Sequence, residues 1–212
     1  MRRGMEDMFR KAGQGAMTVL LAVAFSFVAA SQGLVLPDAL PVLSAPILVT
    51  TCGQNAGAML VGTVCDRLGI PYHVDPFLCM GDLGAVCCSD AGCPFGGALF
   101  ITTGTSPEGM GAREVDMASE IARCTALLER ARELGMFIIV AQVEEPARPS
   151  TEDDERSIRS VLPFADLLIT RADIDHDGYF VALAEELEIP LVYIDGAPDL
   201  EALLLLLFPA SG

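Results

Sequence analysis

The chain has 212 residues, 52% of them hydrophobic, with 13 basic side chains against 29 acidic ones and a formal net charge of −16 at pH 7. A surface that acidic repels nucleic acid and anionic lipid, so neither is an expected partner. The only lysine is Lys11, which excludes a Walker-type phosphate-binding lysine and a lysine Schiff base from everything that follows it.

The first element is a targeting segment. Arg2, Arg3, Arg10 and Lys11 precede the uncharged run "AMTVLLAVAFSFVAA", and small residues follow at Ala29, Ala30 and Ser31. A basic region, an apolar region and a cleavage-like site in that order predict a signal peptide over residues 1–31 and export to the periplasm or beyond. The run is shorter than the ~20 residues a membrane-spanning helix needs; an uncleaved anchor is the alternative. No membrane association is expected once the signal is gone. Its removal takes away four basic and two acidic residues and leaves a net charge of −18.

Residues 32–45 read as an extended lead-in, interrupted by Pro37 and Pro41. The remainder, 46–212, has the length of one ordinary domain. Short apolar runs rich in β-branched residues predict strands at 47–50, 72–74, 98–103, 137–142, 167–170 and 191–194. Helical spacing predicts helices at 55–68, 112–134, 152–162, 180–187 and 200–208. In the second of these, Met117, Ile121, Cys124, Leu128 and Ala131 recur every three or four residues, and Glu120, Arg123, Glu129, Arg130 and Glu133 are assigned to the wet face. Residues 75–97 carry no helical pattern and are expected to be irregular. Strands alternating with helices imply a three-layer α/β domain with a mostly parallel sheet, Rossmann-like or flavodoxin-like.

Ligands in such sheets bind beyond the carboxyl ends of the strands. That rule selects Thr51, Cys52, Gly53, Gln54 and Asn55 after the first strand, and Thr103, Gly104, Thr105, Ser106, Gly109 and Gly111 after the third. Arg113, Gln142 and Arg171 complete the candidate ligand-binding set. The glycines of "TCGQNAG" lack the G-x-G-x-x-G spacing of a dinucleotide site. Backbone amides at the following helix start, with the polar side chains, are expected to hold a carboxylate or small anion. The sequence therefore predicts recognition of a small polar or anionic molecule, or of a partner protein, with no cofactor and no metal. The alternative is an enzyme, thiol-dependent or hydrolytic, using Cys52 with His73 or His176, the only two histidines.

The cluster Cys79, Cys87, Cys88 and Cys93 lacks paired zinc-ligand spacing, and a local disulfide is expected there in an exported protein. In "DIDHDGYF", Asp173, Asp175 and Asp177 imitate half of a calcium loop. Ala184 stands where that loop needs a bidentate glutamate. A polar turn, with Asp177 or Gly178 capping the next helix, is the reading adopted.

The signal together with "PILVTTCGQNAGAMLV", "GIPYHVDP", "LFITTGTSPEGMGA" and "DLLITRADIDHDGYF" resembles a family of small exported bacterial α/β proteins, domain of unknown function 6305. The family's first loop, a Ser-Ala-Gly-Gln type turn, is matched by Thr51-Cys52-Gly53-Gln54. Its third-strand loop is matched by residues 105–112, with Glu108 where that pattern has lysine. After the fourth strand the family tends toward basic residues, whereas this chain reads "AQVEEPARPS" and keeps only Arg148. The resemblance implies the fold and export and implies no activity.

Overall fold

The computed structural model describes residues 36–37, 40–87, 97–144, 151–175 and 177–209. The signal segment, Cys88, Cys93, Arg148 and His176 lie outside them.

The elements in chain order are β1 (Ile47–Thr51), α1 (Gly57–Leu68), β2 (Tyr72–Val74), α2 (Met80–Cys87), β3 (Ala98–Thr102), α3 (Pro107–Ala112), α4 (Met117–Glu133), β4 (Phe137–Gln142), α5 (Glu152–Val161), β5 (Leu167–Arg171), α6 (Tyr179–Glu186), β6 (Leu191–Ile194) and α7 (Ala197–Leu207), with one 3-10 turn at Leu162–Phe164. The six strands form one sheet in the order β2-β1-β3-β4-β5-β6, and every neighbouring pair is parallel. That is the flavodoxin-like order, with its topological switch between β1 and β3.

Alternation along each strand divides the core into two layers. Leu48, Leu99, Ile101, Ile138, Val140 and Leu168 pack with buried residues of α4, α5 and α6. Ile47, Val49, Phe100, Ile139, Ile169 and Val192 pack with α1 and α7 on the other face. The leucine-rich α7 docks through Leu200, Leu203, Leu204 and Leu207, while Leu205 and Leu206 stay exposed. The lead-in joins this layer, where Leu43 N donates to Leu207 O at 2.6 Å. Among the described residues no helix is long and apolar enough to cross a membrane.

Two expectations are corrected. The stretch read as irregular contains α2, whose Asp82 carboxylate accepts from Cys79 N at 2.8 Å at the helix start. A short helix with Gly81 and Gly84 inside it presents little apolar periodicity, which is why pattern reading missed it. The helix read over 112–134 begins only at Met117, as α4, and the loop read before it contains the short helix α3, which ends at Ala112. Glu114 takes φ 54 in the connection, and Asp116 with Ser119 forms a reciprocal capping box that starts α4 afresh. The Asp-x-x-Ser spacing was available in the sequence as that signal.

The aspartates of "DIDHDGYF" are tied into the fold. Asp175 accepts from Phe180 N at 2.7 Å and Val181 N at 3.2 Å, capping α6, and from the Tyr193 hydroxyl. Gly178 is the N-cap residue, with φ 74. Of the cysteines expected to pair locally, Cys79 is an exposed free thiol, and Cys88 and Cys93 fall outside the described residues.

Candidate functional site

The candidate residues gather at the carboxyl end of the sheet, where parallel register brings Thr51 beside Thr102, Gln142 beside Thr170 and Arg171 beside Ile194. The β1 and β3 turns meet at the switch point and bond to each other. Gln54 pairs with Thr105 in an isolated antiparallel bridge, Ser106 N donates to Gly53 O at 2.8 Å, and Asn55 Nδ2 donates to Gly104 O at 2.8 Å. Gly53 has φ 101, and a Cβ there would lie 2.3 Å from Gly104 O. Only glycine permits this approach.

The polar groups of these turns have partners within the chain. Cys52 N donates to Thr102 O at 2.7 Å. Gly53 N and Gln54 Nε2 donate to Glu120 Oε1 at 3.0 and 2.8 Å. Gly104 N donates to Ser157 Oγ at 3.3 Å, and Ser157 Oγ donates to Cys52 O at 2.8 Å. Asp154 accepts from the Thr105 amide and hydroxyl. Thr103 Oγ1 donates to Gln142 Oε1 at 2.6 Å, and Gly109 N to Ser106 Oγ at 3.0 Å. At the start of α1, where an anion was expected, Ala56 N donates to Glu144 Oε2 at 3.1 Å and Gly57 N to Asn55 Oδ1 at 2.8 Å. The carboxylate held there is the chain's own. Burial raises the Glu144 pKa above the ordinary glutamate value, against the lowering effect of the Ala56 and Gly57 amides.

Glu120 and Arg123 correct the reading that placed them on the wet face of α4. The Glu120 side chain is 0% exposed and the Arg123 side chain 13%. Arg123 donates through Nε to Glu120 Oε2 at 3.0 Å, and also to Leu78 O and Thr51 O at 2.6 Å each. Burial works against the Arg123 charge, and the Glu120 carboxylate outweighs it, leaving that pKa raised. This buried pair, with Asp154 and Ser157 from α5, holds the turn after β1. Helical periodicity assigns such residues to solvent; the i,i+3 spacing of Glu120 and Arg123, of opposite charge, was the faint available signal.

Cys52 is fully buried. Its pKa is lowered, chiefly by the neighbouring Cys124 and against its burial, and its sulfur lies 4.0 Å from Ser160 Oγ. The sheet register sets His73 beside Leu48, four residues before Cys52, which is about 13 Å along a strand. The geometry therefore supplies Cys52 with hydroxyl and thiol neighbours, and places His73 well below it. Gly111 and Arg113 lie apart, exposed on and just after α3, with the Arg113 guanidinium 4.5 Å from the Phe77 ring centroid. Among the described residues no group of three or more His, Cys, Asp or Glu side chains is placed to hold a metal.

An open feature lies farther along the same edge. A cleft of about 180 Å³ sits over the ends of β4, β5 and β6, lined by Leu60, Val143, Arg171, Ile194, Gly196, Ala197 and Leu200. Arg171 Nε donates to Asp173 Oδ1 at 2.9 Å, and a second bond joins Nη2 to the other carboxylate oxygen. Of the candidate residues, Arg171 alone lines this cleft.

No curated protein matches the sequence. Three solved structures share part of the backbone. The crystal structure of TesA is 13% identical, with a TM-score of 0.32 over 69% of this chain and 77% of that one. A psychrotrophic esterase EstA from Pseudoalteromonas sp., inhibited by monoethylphosphonate, is 10% identical, with a TM-score of 0.31 over 70% of this chain and 76% of that one. A truncated 3-deoxy-D-arabino-heptulosonate 7-phosphate synthase from Thermotoga maritima is 14% identical, with a TM-score of 0.30 over 76% of this chain and 49% of that one. Likeness at that level transfers no chemistry. The sequence itself is decisive about kinship: residues 44–208 match the family described as Domain of unknown function (DUF6305), and the chain belongs to that family.

Proposed function

We propose that the domain binds a small amphiphile, a polar acceptor head on a short apolar chain, in the cleft over β4, β5 and β6, and that it does so without catalysing a reaction. One observation carries the reading: Arg171 borders a cleft otherwise walled by Leu60, Val143, Ile194, Ala197 and Leu200. A mostly apolar concavity with one well-placed polar group is the usual form of a small-molecule site. The volume is that of about six waters at roughly 30 Å³ each, so the ligand is small or seats only one end.

Arg171 grips Asp173, whose side chain is 56% exposed. An incoming carboxylate or amide oxygen exchanges for, or shares with, a partner that water already solvates, at little cost. The β1 and β3 turns, with their internal bonds, form a rigid neighbour to the site along the same sheet edge. The acidic surface repels anions at long range, so added salt strengthens binding of a carboxylate head and leaves an amide head unaffected.

Amide-resolved NMR titration with hexanoate and with hexanamide tests the reading. Shifts concentrated at Leu60, Arg171, Gly196 and Ala197 support it; shifts confined to Cys52–Asn55 and Thr103–Ser106 reject it. Iodoacetamide should label Cys52 of the folded protein slowly, because a fully buried thiol offers no access. Export belongs to the same proposal, and amino-terminal sequencing of protein from its native host should begin at residues 31–33.

A further inference from the structure

We propose that Cys52 and Cys124 are the two halves of a buried disulfide that ties the turn after β1 to helix α4. The two residues are 72 positions apart, and both are 0% exposed in the same core layer. Both are free thiols in the structure, and each is the largest single influence on the other's titration. The Cys124 sulfur also lies 3.8 Å from the carbonyl oxygen of Thr51, the residue that precedes Cys52. One buried cysteine is an inert small hydrophobe. Two buried cysteines on chain segments that approach this closely are what a cross-link requires.

Cys65 is in the opposite layer, with α1, and Cys79 is exposed. Among the cysteines whose side chains the structure describes, Cys124 alone shares the layer of Cys52. The cross-link would fasten the same turn that Glu120 and Arg123 already hold, on the same stretch of α4.

Full burial means that the bond forms while the chain is still open. A small-molecule disulfide is the oxidant. One cysteine thiolate attacks a sulfur of that disulfide and expels the first small thiolate, leaving a mixed disulfide. The second cysteine thiolate attacks the protein sulfur and expels the second. The two protein thiols lose two protons and two electrons; the oxidant's sulfur–sulfur bond is reduced to two thiols. The fold then closes over the product.

The test is refolding of the full chain in a mixture of reduced and oxidised glutathione, then denaturation with N-ethylmaleimide present and peptide mapping without reduction. The expected product is a linked peptide pair containing Cys52 and Cys124, two hydrogens lighter than the free peptides, with neither cysteine alkylated. Reduction should lower the thermal midpoint by about 5–10 °C. The part of that drop due to this bond should vanish in the double variant Cys52→Ala, Cys124→Ala. Full alkylation of both cysteines before reduction, or Cys52 linked to a different cysteine, would overturn the proposal. The map of the unaltered protein decides the matter even if the double variant fails to fold.

Discussion

The carboxyl end of the sheet has two regions that look alike in the chain and behave differently in space. At the switch between β1 and β3, polar and glycine-rich turns sit where ligands of this fold class bind. There Glu120, Glu144, Asp154 and Ser157 supply partners to the amides. Over β4, β5 and β6 the chain is mostly apolar, and one arginine borders an open cleft. A strand-end position nominates a loop. Whether its donors are already engaged decides how it can act.

The largest effect should come from breaking the buried support of the first region. Glu120→Ala leaves the Arg123 guanidinium, 13% exposed, without its carboxylate. Removal of one partner from a buried pair costs about 3–5 kcal/mol, read as a lowered denaturation midpoint. An unchanged midpoint would mean that the pair does not hold the β1 turn.

Gly53→Val should come next. It combines a left-handed backbone, about 1 kcal/mol or more, with overpacking of roughly 1–3 kcal/mol, because its Cβ would meet Gly104 O at 2.3 Å. The loss should appear in stability whether or not any ligand is present. A Gly53→Val protein with normal stability but weakened hexanoate binding would return the site to the switch point.

A smaller effect is expected at Glu144. Its folded pKa is raised by burial, so the folded chain keeps this proton at pH values where the unfolded chain has released it. Its contribution to stability is greatest below the ordinary glutamate range and falls as pH rises through the folded value. Glu144→Gln should remove that component of the pH dependence. Midpoints measured across acidic to neutral pH check the sign; a difference between the two proteins that widens toward low pH in favour of the variant would contradict it.

Much of this architecture was legible in the chain. All six strands lie within a residue of their predicted bounds, because short β-branched runs between turn residues are a strong local signal. The helix after Cys79 was hidden, since it alters apolar spacing little, and the start of α4 at Asp116 was marked only by its capping spacing with Ser119. Glu120 and Arg123 were misread for a deeper reason: periodicity counts a charged side chain as wet, and only the folded arrangement brings Thr51 O, Leu78 O and the Gly53 amide to them. The strand-end rule nominated Arg171, which borders the open cleft, but also turns whose Gly53, Ala56, Gly104 and Thr105 amides are met by side chains 49 to 88 positions away.

The smallest expected change in stability belongs to Arg171, whose pairing with exposed Asp173 contributes about 0–1 kcal/mol. It is also the residue on which binding should depend most. Calorimetric titration of hexanoate into the unaltered protein and into Arg171→Gln is the most direct test. The account predicts a loss of about 10–100-fold in affinity, the equivalent of one charge-assisted hydrogen bond of roughly 1.5–3 kcal/mol, with the thermal midpoint nearly unchanged. Equal affinity in the two proteins would contradict it.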